Sequence, residues 1–140
     1  MKIHNLTHEI TPYNIFEASY RLFQTVEYWP EGTTFISVVD PGVGSKRKSV
    51  LALTENNQYI VTPDNGTLTY IKTHVGIKAI REISEVKNRR QNTEYSYTFH
   101  GRDVYAYTGA KLASGHITFE EVGPELPVDA VLELPVVETA

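Results

Sequence analysis

Apolar residues recur at helical spacing in one early stretch and at strand spacing in several later ones. Ile15, Ala18, Leu22 and Val26 fall three, four and four residues apart, and Phe16 and Phe23 widen the stripe. That pattern predicts an amphipathic helix from Tyr13 to Trp29. Asn14 is placed to cap its start, and Pro30 and Gly32 follow its end. Thr33 to Val39 is a β-branched, almost continuously apolar run, the pattern of a strand buried on both faces. Ser49 to Leu53 and Gln58 to Thr62 predict two further strands, joined across Glu55-Asn56-Asn57 in a hairpin. Pro63-Asp64-Asn65-Gly66 is a turn cluster, and Thr67 to His74 is either a short helix or irregular. Ile77 to Ile83 alternates as a strand does. A second helix is expected from Asp103 to Ala113, with Val104, Tyr107 or Thr108, and Leu112 facing inward and Gly115 at its end. At the N-terminus, Lys2 to Thr7 alternates weakly, as a strand or the end of one. Beyond Val122 the prolines at 124, 127 and 135 predict an extended linker rather than a packed element. Strands interleaved with helices give an α/β sandwich.

Composition narrows the function classes. At 140 residues the chain is the size of one domain, and 41% hydrophobic with 21% charged residues excludes a disordered or fibrous chain. A formal net charge of -4 lacks the basic footprint of a nucleic-acid partner. Without cysteine there is no disulfide framework, no thiolate zinc site and no thiol nucleophile. Met-Lys-Ile-His-Asn-Leu turns polar too soon for a signal peptide, and no apolar run approaches membrane-spanning length. The expectation is a soluble cytoplasmic domain with no membrane partner.

Three stretches carry candidate chemistry. Asp40-Pro41-Gly42-Val43-Gly44-Ser45-Lys46-Arg47-Lys48 follows a predicted strand, where α/β folds place ligands. It is not a phosphate-binding P-loop, because it has no Gly-Lys pair. Curling the loop would bring Asp40 and Arg47 into an ion pair, while the plainer reading is a surface turn. In Phe99-His100-Gly101-Arg102-Asp103 a histidine sits at a helix entrance, where N–H donors favour the neutral ring needed for base chemistry. The plainer reading is a packed histidine with Asp103 capping the helix. Tyr13 is either core rim or a platform for a sugar or base. His4 and His8 share no helical face, and no His-Glu-x-x-His stretch occurs, so no metal is expected.

These stretches also occur in a known order. Thr7-His8-Glu9-Ile10-Thr11-Pro12, Val38-Val39-Asp40-Pro41-Gly42-Val43-Gly44-Ser45, Pro63-Asp64-Asn65-Gly66 and Thr98-Phe99-His100-Gly101-Arg102-Asp103 together resemble the S-adenosylmethionine hydroxide adenosyltransferases. These are the hydrolase branch of a superfamily that includes the adenosyl chlorinase and fluorinase. The resemblance runs to about Pro127. It implies a three-layer α/β/α sandwich with a central mixed, largely parallel sheet, and hydrolysis of S-adenosylmethionine to adenosine and methionine. It implies no cofactor and no metal, and a homotrimer for the full-length family. By the same resemblance Asp40, Arg47 and His100 form the water-activating triad, which the halogenating relatives lack. Tyr13, Phe99, Gly101, Asp64 and Asn65 match substrate-binding positions.

Set against that family, residues 1–123 are expected to be an N-terminal α/β catalytic domain without its first strand, which bears a ribose-binding acidic residue. Residues 124–140 are expected to be a Pro-rich interdomain linker, and the adenine-reading C-terminal β domain is expected to be absent. Two further readings accompany the hydrolase: a non-catalytic remnant that binds nucleoside or serves assembly, and a halide-using adenosyl halogenase, which Asp40 and His100 disfavour.

Overall fold

Apolar residues at consecutive positions of one strand require cover on both faces of the sheet, and Val50, Leu51 and Ala52 show that requirement met. The computed structural model describes residues 15–37, 48–83 and 105–131. In chain order these form α1 (Ile15–Val26), β1 (Thr34–Ile36), β2 (Ser49–Thr54), β3 (Tyr59–Pro63), α2 (Thr69–His74), β4 (Ile77–Glu82), α3 (Tyr107–Ala113) and β5 (Glu125–Leu126). The five strands make one sheet in the order β1-β3-β2-β4-β5.

Side-chain alternation divides the interior into two layers. Val50 and Ala52 of β2, Ile60 of β3 and Ile80 of β4 face Leu22 and Val26 of α1 and Leu68 and Ile71 beside or on α2. Leu51, Val61 and Ile83 point the other way, onto Tyr105, Phe119 and Val122, with Leu112 of α3 packed at the margin. The result is the expected α/β/α layering. Ile77 and Ala79 have the same parity yet serve opposite layers. A register shift between Leu53 and Thr54, where β2 meets β4, accounts for the change of face.

The sheet is mixed, but among the described residues it is not largely parallel. β1 and β3 pair in parallel, whereas β2–β3, β2–β4 and β4–β5 are antiparallel. Connection length explains the difference. Only the residues between Thr54 and Tyr59 separate β2 from β3, a hairpin-length turn, with Asn57 in the left-handed region at φ 59°. The longer passage through α2 skips over β2, so β3 and β4 run in the same direction on either side of it.

Two further expectations change and one open alternative is resolved. The run from Thr33 is not buried on both faces: β1 lies at the sheet margin among the described residues, and Ile36 is 41% exposed. In the second helix Thr108 is buried and Tyr107 is the exposed alternative. A π-type turn at Tyr105–Ala106, ahead of Tyr107, sets that phase. The Pro-rich stretch is not merely extended either. Leu126 and Glu125 pair with Ile80 and Arg81, and Val131 joins the first core layer. Proline at 124 and 127 flanks this two-residue pairing without having to donate within it.

The end of α1 depends on a residue from the hairpin. Gln58, almost wholly buried, donates from Nε2 to the carbonyls of Val26 (2.9 Å) and Trp29 (2.8 Å). These carbonyls belong to the end of a helix that has no basic residue in its last turn. Replacing Gln58 with Met keeps the bulk and removes the donor. Val26 O keeps the Trp29 N–H at 3.3 Å, so the expected loss is about 1 kcal/mol, read as a lower urea midpoint by circular dichroism.

Candidate functional site

The carboxyl ends of β1, β3 and β4 lie at one end of the sheet, with the start of β2 among them. Backbone hydrogen bonds fix the arrangement. Ser37 N–H donates to Val61 O (3.0 Å), Asp64 N–H to Lys48 O (2.8 Å), and Ile83 N–H to Ser49 O (2.7 Å). Open α/β sheets bind ligands beyond the carboxyl ends of their strands. This end is also where the motif-bearing stretches attach. Ser37 and Lys48 bracket residues 38–47, which carry Asp40 and Arg47, and Ile83 and Tyr105 bracket 84–104, which carry Phe99, His100 and Gly101. Those five residues and Tyr13 lie outside the described residues.

Asp64 and Asn65 are described, and both sit in the turn leaving β3. Asp64 is half-buried, and its backbone bond to Lys48 places it beside the residue that follows Arg47. Asn65 is buried. Its Oδ1 accepts from Thr67 N–H (3.2 Å) and Thr67 Oγ1 (2.7 Å), an Asx-type closure that commits this oxygen to the turn. Gly66 follows at φ 103°, a conformation natural to glycine. Its carbonyl accepts from Thr69 N–H (3.1 Å) and Thr69 Oγ1 (2.6 Å), so the turn winds directly into α2.

Helix α2 has no side-chain cap of its own at Leu68. Ser19 of α1 supplies one from across the layer, accepting Tyr70 N–H at 3.0 Å. Sequence reasoning passed over Ser19, although a polar residue four after Ile15 falls on the apolar stripe of α1 and marks an exception. It also passed over Ser49 and Tyr105, whose hydroxyl oxygens lie 2.8 Å apart in the second core layer. Nothing in a single sequence pairs residues 56 positions apart. A separate open groove of about 310 Å³, lined by Thr34, Leu53, Tyr59, Leu112 and Phe119, lies at the opposite end of the strands.

Comparison with known proteins bears on this end of the sheet. Residues 1–123 match the family model described as SAM hydroxide adenosyltransferase N-terminal domain. An (R)-S-adenosyl-L-methionine hydrolase from Methanocaldococcus jannaschii is 43% identical over 111 residues, covering 79% of this chain and 40% of the relative. Its namesake from Thermus thermophilus is 36% identical over 140 residues, covering 96% and 54%. A fluorinase from Actinoplanes sp. is 25% identical over 150 residues, covering 91% and 49%. An uncharacterized conserved protein from Thermotoga maritima superposes with a TM-score of 0.91 at 38% identity, over 99% of this chain and 52% of its own. The chain thus spans about half the length of the proteins it matches.

The turn's internal bonding has a measurable consequence. Thr67→Val removes one of the two donors to Asn65 Oδ1 and leaves the backbone donor in place, with an expected loss of about 1 kcal/mol. Asn65→Ala removes the acceptor from both, and its loss should exceed that of Thr67→Val, to about 2 kcal/mol. Urea unfolding of the two single variants and the double variant checks the order, and the double should match Asn65→Ala rather than the sum.

Proposed function

Because the chain belongs to the SAM hydroxide adenosyltransferase family, matching its N-terminal domain, we propose that it supplies the water-activating side of an S-adenosylmethionine hydrolase. The observation that carries this reading is the common end of the sheet. There the ends of β1, β3 and β4 and the approach to α3 bring together the attachment points of the Asp40–Arg47 and His100 stretches and the Asp64 turn. The relatives named as (R)-S-adenosyl-L-methionine hydrolases support the substrate and the reaction.

The chemistry asks little of the leaving group. The 5′ carbon of the ribose bears a sulfonium, and when the C5′–S bond breaks the sulfur keeps the electron pair and departs as neutral methionine. No general acid is required. The demand falls on water, a weak nucleophile for in-line displacement. In this proposal His100 and Asp40 orient a water and take its proton as the new C5′–O bond forms. Arg47 holds Asp40 and stabilises the developing hydroxide. Fixing water, carbon and sulfur in line removes much of the remaining barrier. Tyr13, Phe99, Gly101, Asp64 and Asn65 border the nucleoside, and no metal or cofactor takes part. The products are adenosine and methionine. The full-length family is expected to be homotrimeric, and this chain to act in the cytoplasm with no nucleic-acid or membrane partner. Among the described residues no helix is long and apolar enough to cross a membrane.

A second reading is a nucleoside-binding or assembly module without turnover. The purified chain incubated with S-adenosylmethionine, with products separated by chromatography, decides between them. Adenosine is expected, and His100→Ala or Arg47→Ala should each lower its rate about 100-fold or more. Adenosine binding without turnover would overturn the hydrolase reading in favour of the binding module. A chlorinated nucleoside formed in chloride would overturn it in favour of a halogenase.

A further inference from the structure

Two buried hydroxyls join the arms of this site. Ser49 opens β2 two residues after Arg47, and Tyr105 stands two residues after Asp103 and five after His100. Both side chains are buried, and their oxygens are 2.8 Å apart. The Tyr105 ring is packed among Leu51, Val61, Ile83, Phe119 and Val122, so it cannot swing to follow a displaced partner. Ser49 is held as firmly, since its carbonyl accepts Ile83 N–H at 2.7 Å and the carbonyl of Lys48 before it accepts Asp64 N–H at 2.8 Å. The bond ties the start of β2 to the helical segment at Tyr105, and each oxygen has given up water for a partner within the protein. What the pair adds is a fixed distance between two points far apart in sequence.

We propose that the Ser49–Tyr105 hydrogen bond is a positioning device, setting the separation of the two anchor points from which the Arg47 and His100 stretches extend. The inference rests on the hydrolase reading for its catalytic consequence, and Ser49 and Tyr105 are positioning residues that do not touch substrate. A clamp of this kind acts on alignment. Loosening it should lower kcat, where water, base and carbon must be in line, and leave KM for S-adenosylmethionine little changed.

The test compares Tyr105→Phe, which keeps the ring, with Ser49→Ala, the double variant, and the hydroxyl-retaining Ser49→Thr. Tyr28→Phe, at a position 84% exposed, is the control. Turnover is measured well below each variant's unfolding midpoint. The expected result is a fall in kcat of about 10-fold or more for Tyr105→Phe and for Ser49→Ala, with KM within about threefold. The double variant should be no worse than either single one, and Ser49→Thr should recover most of the rate. A second readout does not depend on turnover: the ¹H–¹⁵N signals of the Arg47 guanidinium and the His100 ring, assigned by substitution. These should move in Tyr105→Phe and Ser49→Ala and stay in place in Tyr28→Phe. If both signals stay in place in either folded variant while only stability falls, the pair is packing alone and the inference is overturned. Absence of turnover in the unaltered chain would count against the hydrolase reading, and moved signals would still uphold the clamp. If Tyr105→Phe does not fold, Ser49→Ala decides.

Discussion

Strand β2 has to be covered on both faces, and the rest of the fold is arranged around that need. Val50, Leu51 and Ala52 are buried without interruption, so neither face of the strand can be left to solvent. Each of these side chains contributes through the water it excludes, with larger ones worth about 1.5–3 kcal/mol when fully buried. The backbone between them must also find partners, and β3 and β4 supply these on either side in antiparallel register. One face is then closed by α1 and α2, and the other by α3 and the 3₁₀ turn at Phe119–Glu121. Removing either layer would expose half of the same strand, so the two hydrophobic layers are energetically one unit.

That central strand begins at the candidate site. Its first residue is polar where the following three are not, and the change from Ser49 to Val50 marks the passage from the candidate-site end of the sheet to its interior. Asp64, Ile83 and Tyr105 all bond to Ser49 or to Lys48 before it. The points where residues 38–47 and 84–104 join the described fold are therefore attached to its buried interior.

Much of this could be read from the sequence where the signal was local. The α1 stripe, the hairpin and strand β4 rest on signals within a single segment, and the structure contains each of them, with the alternation of β4 interrupted between Ile77 and Ala79. The fate of β1 was not legible, because an apolar run looks the same whether one face or two are covered, and only the sheet order leaves Ile36 exposed. Nor was β5, because two residues between prolines carry no period at all. The motifs and their order were legible, and the stretches that carry most of them lie outside the described residues. The shared sheet end, the Ser19 cap and the hydroxyl pair depend on contacts 51 and 56 residues apart, which no local pattern encodes. The fold class is α/β and mixed, as expected, while the direction of most strand pairs followed from loop lengths rather than from apolar content.

The buried amide of Gln58 also couples two elements that are remote in sequence. The carbonyls of Val26 and Trp29, at and just beyond the end of α1, accept from a side chain 29 to 32 residues further along. An isolated helix of this length is marginal in water. The end of α1 gains these side-chain bonds only when the β2–β3 hairpin is docked against it, and the hairpin gains them only if the helix is present. Helix and hairpin therefore complete one another. A change that loosens one costs the other its bonds as well.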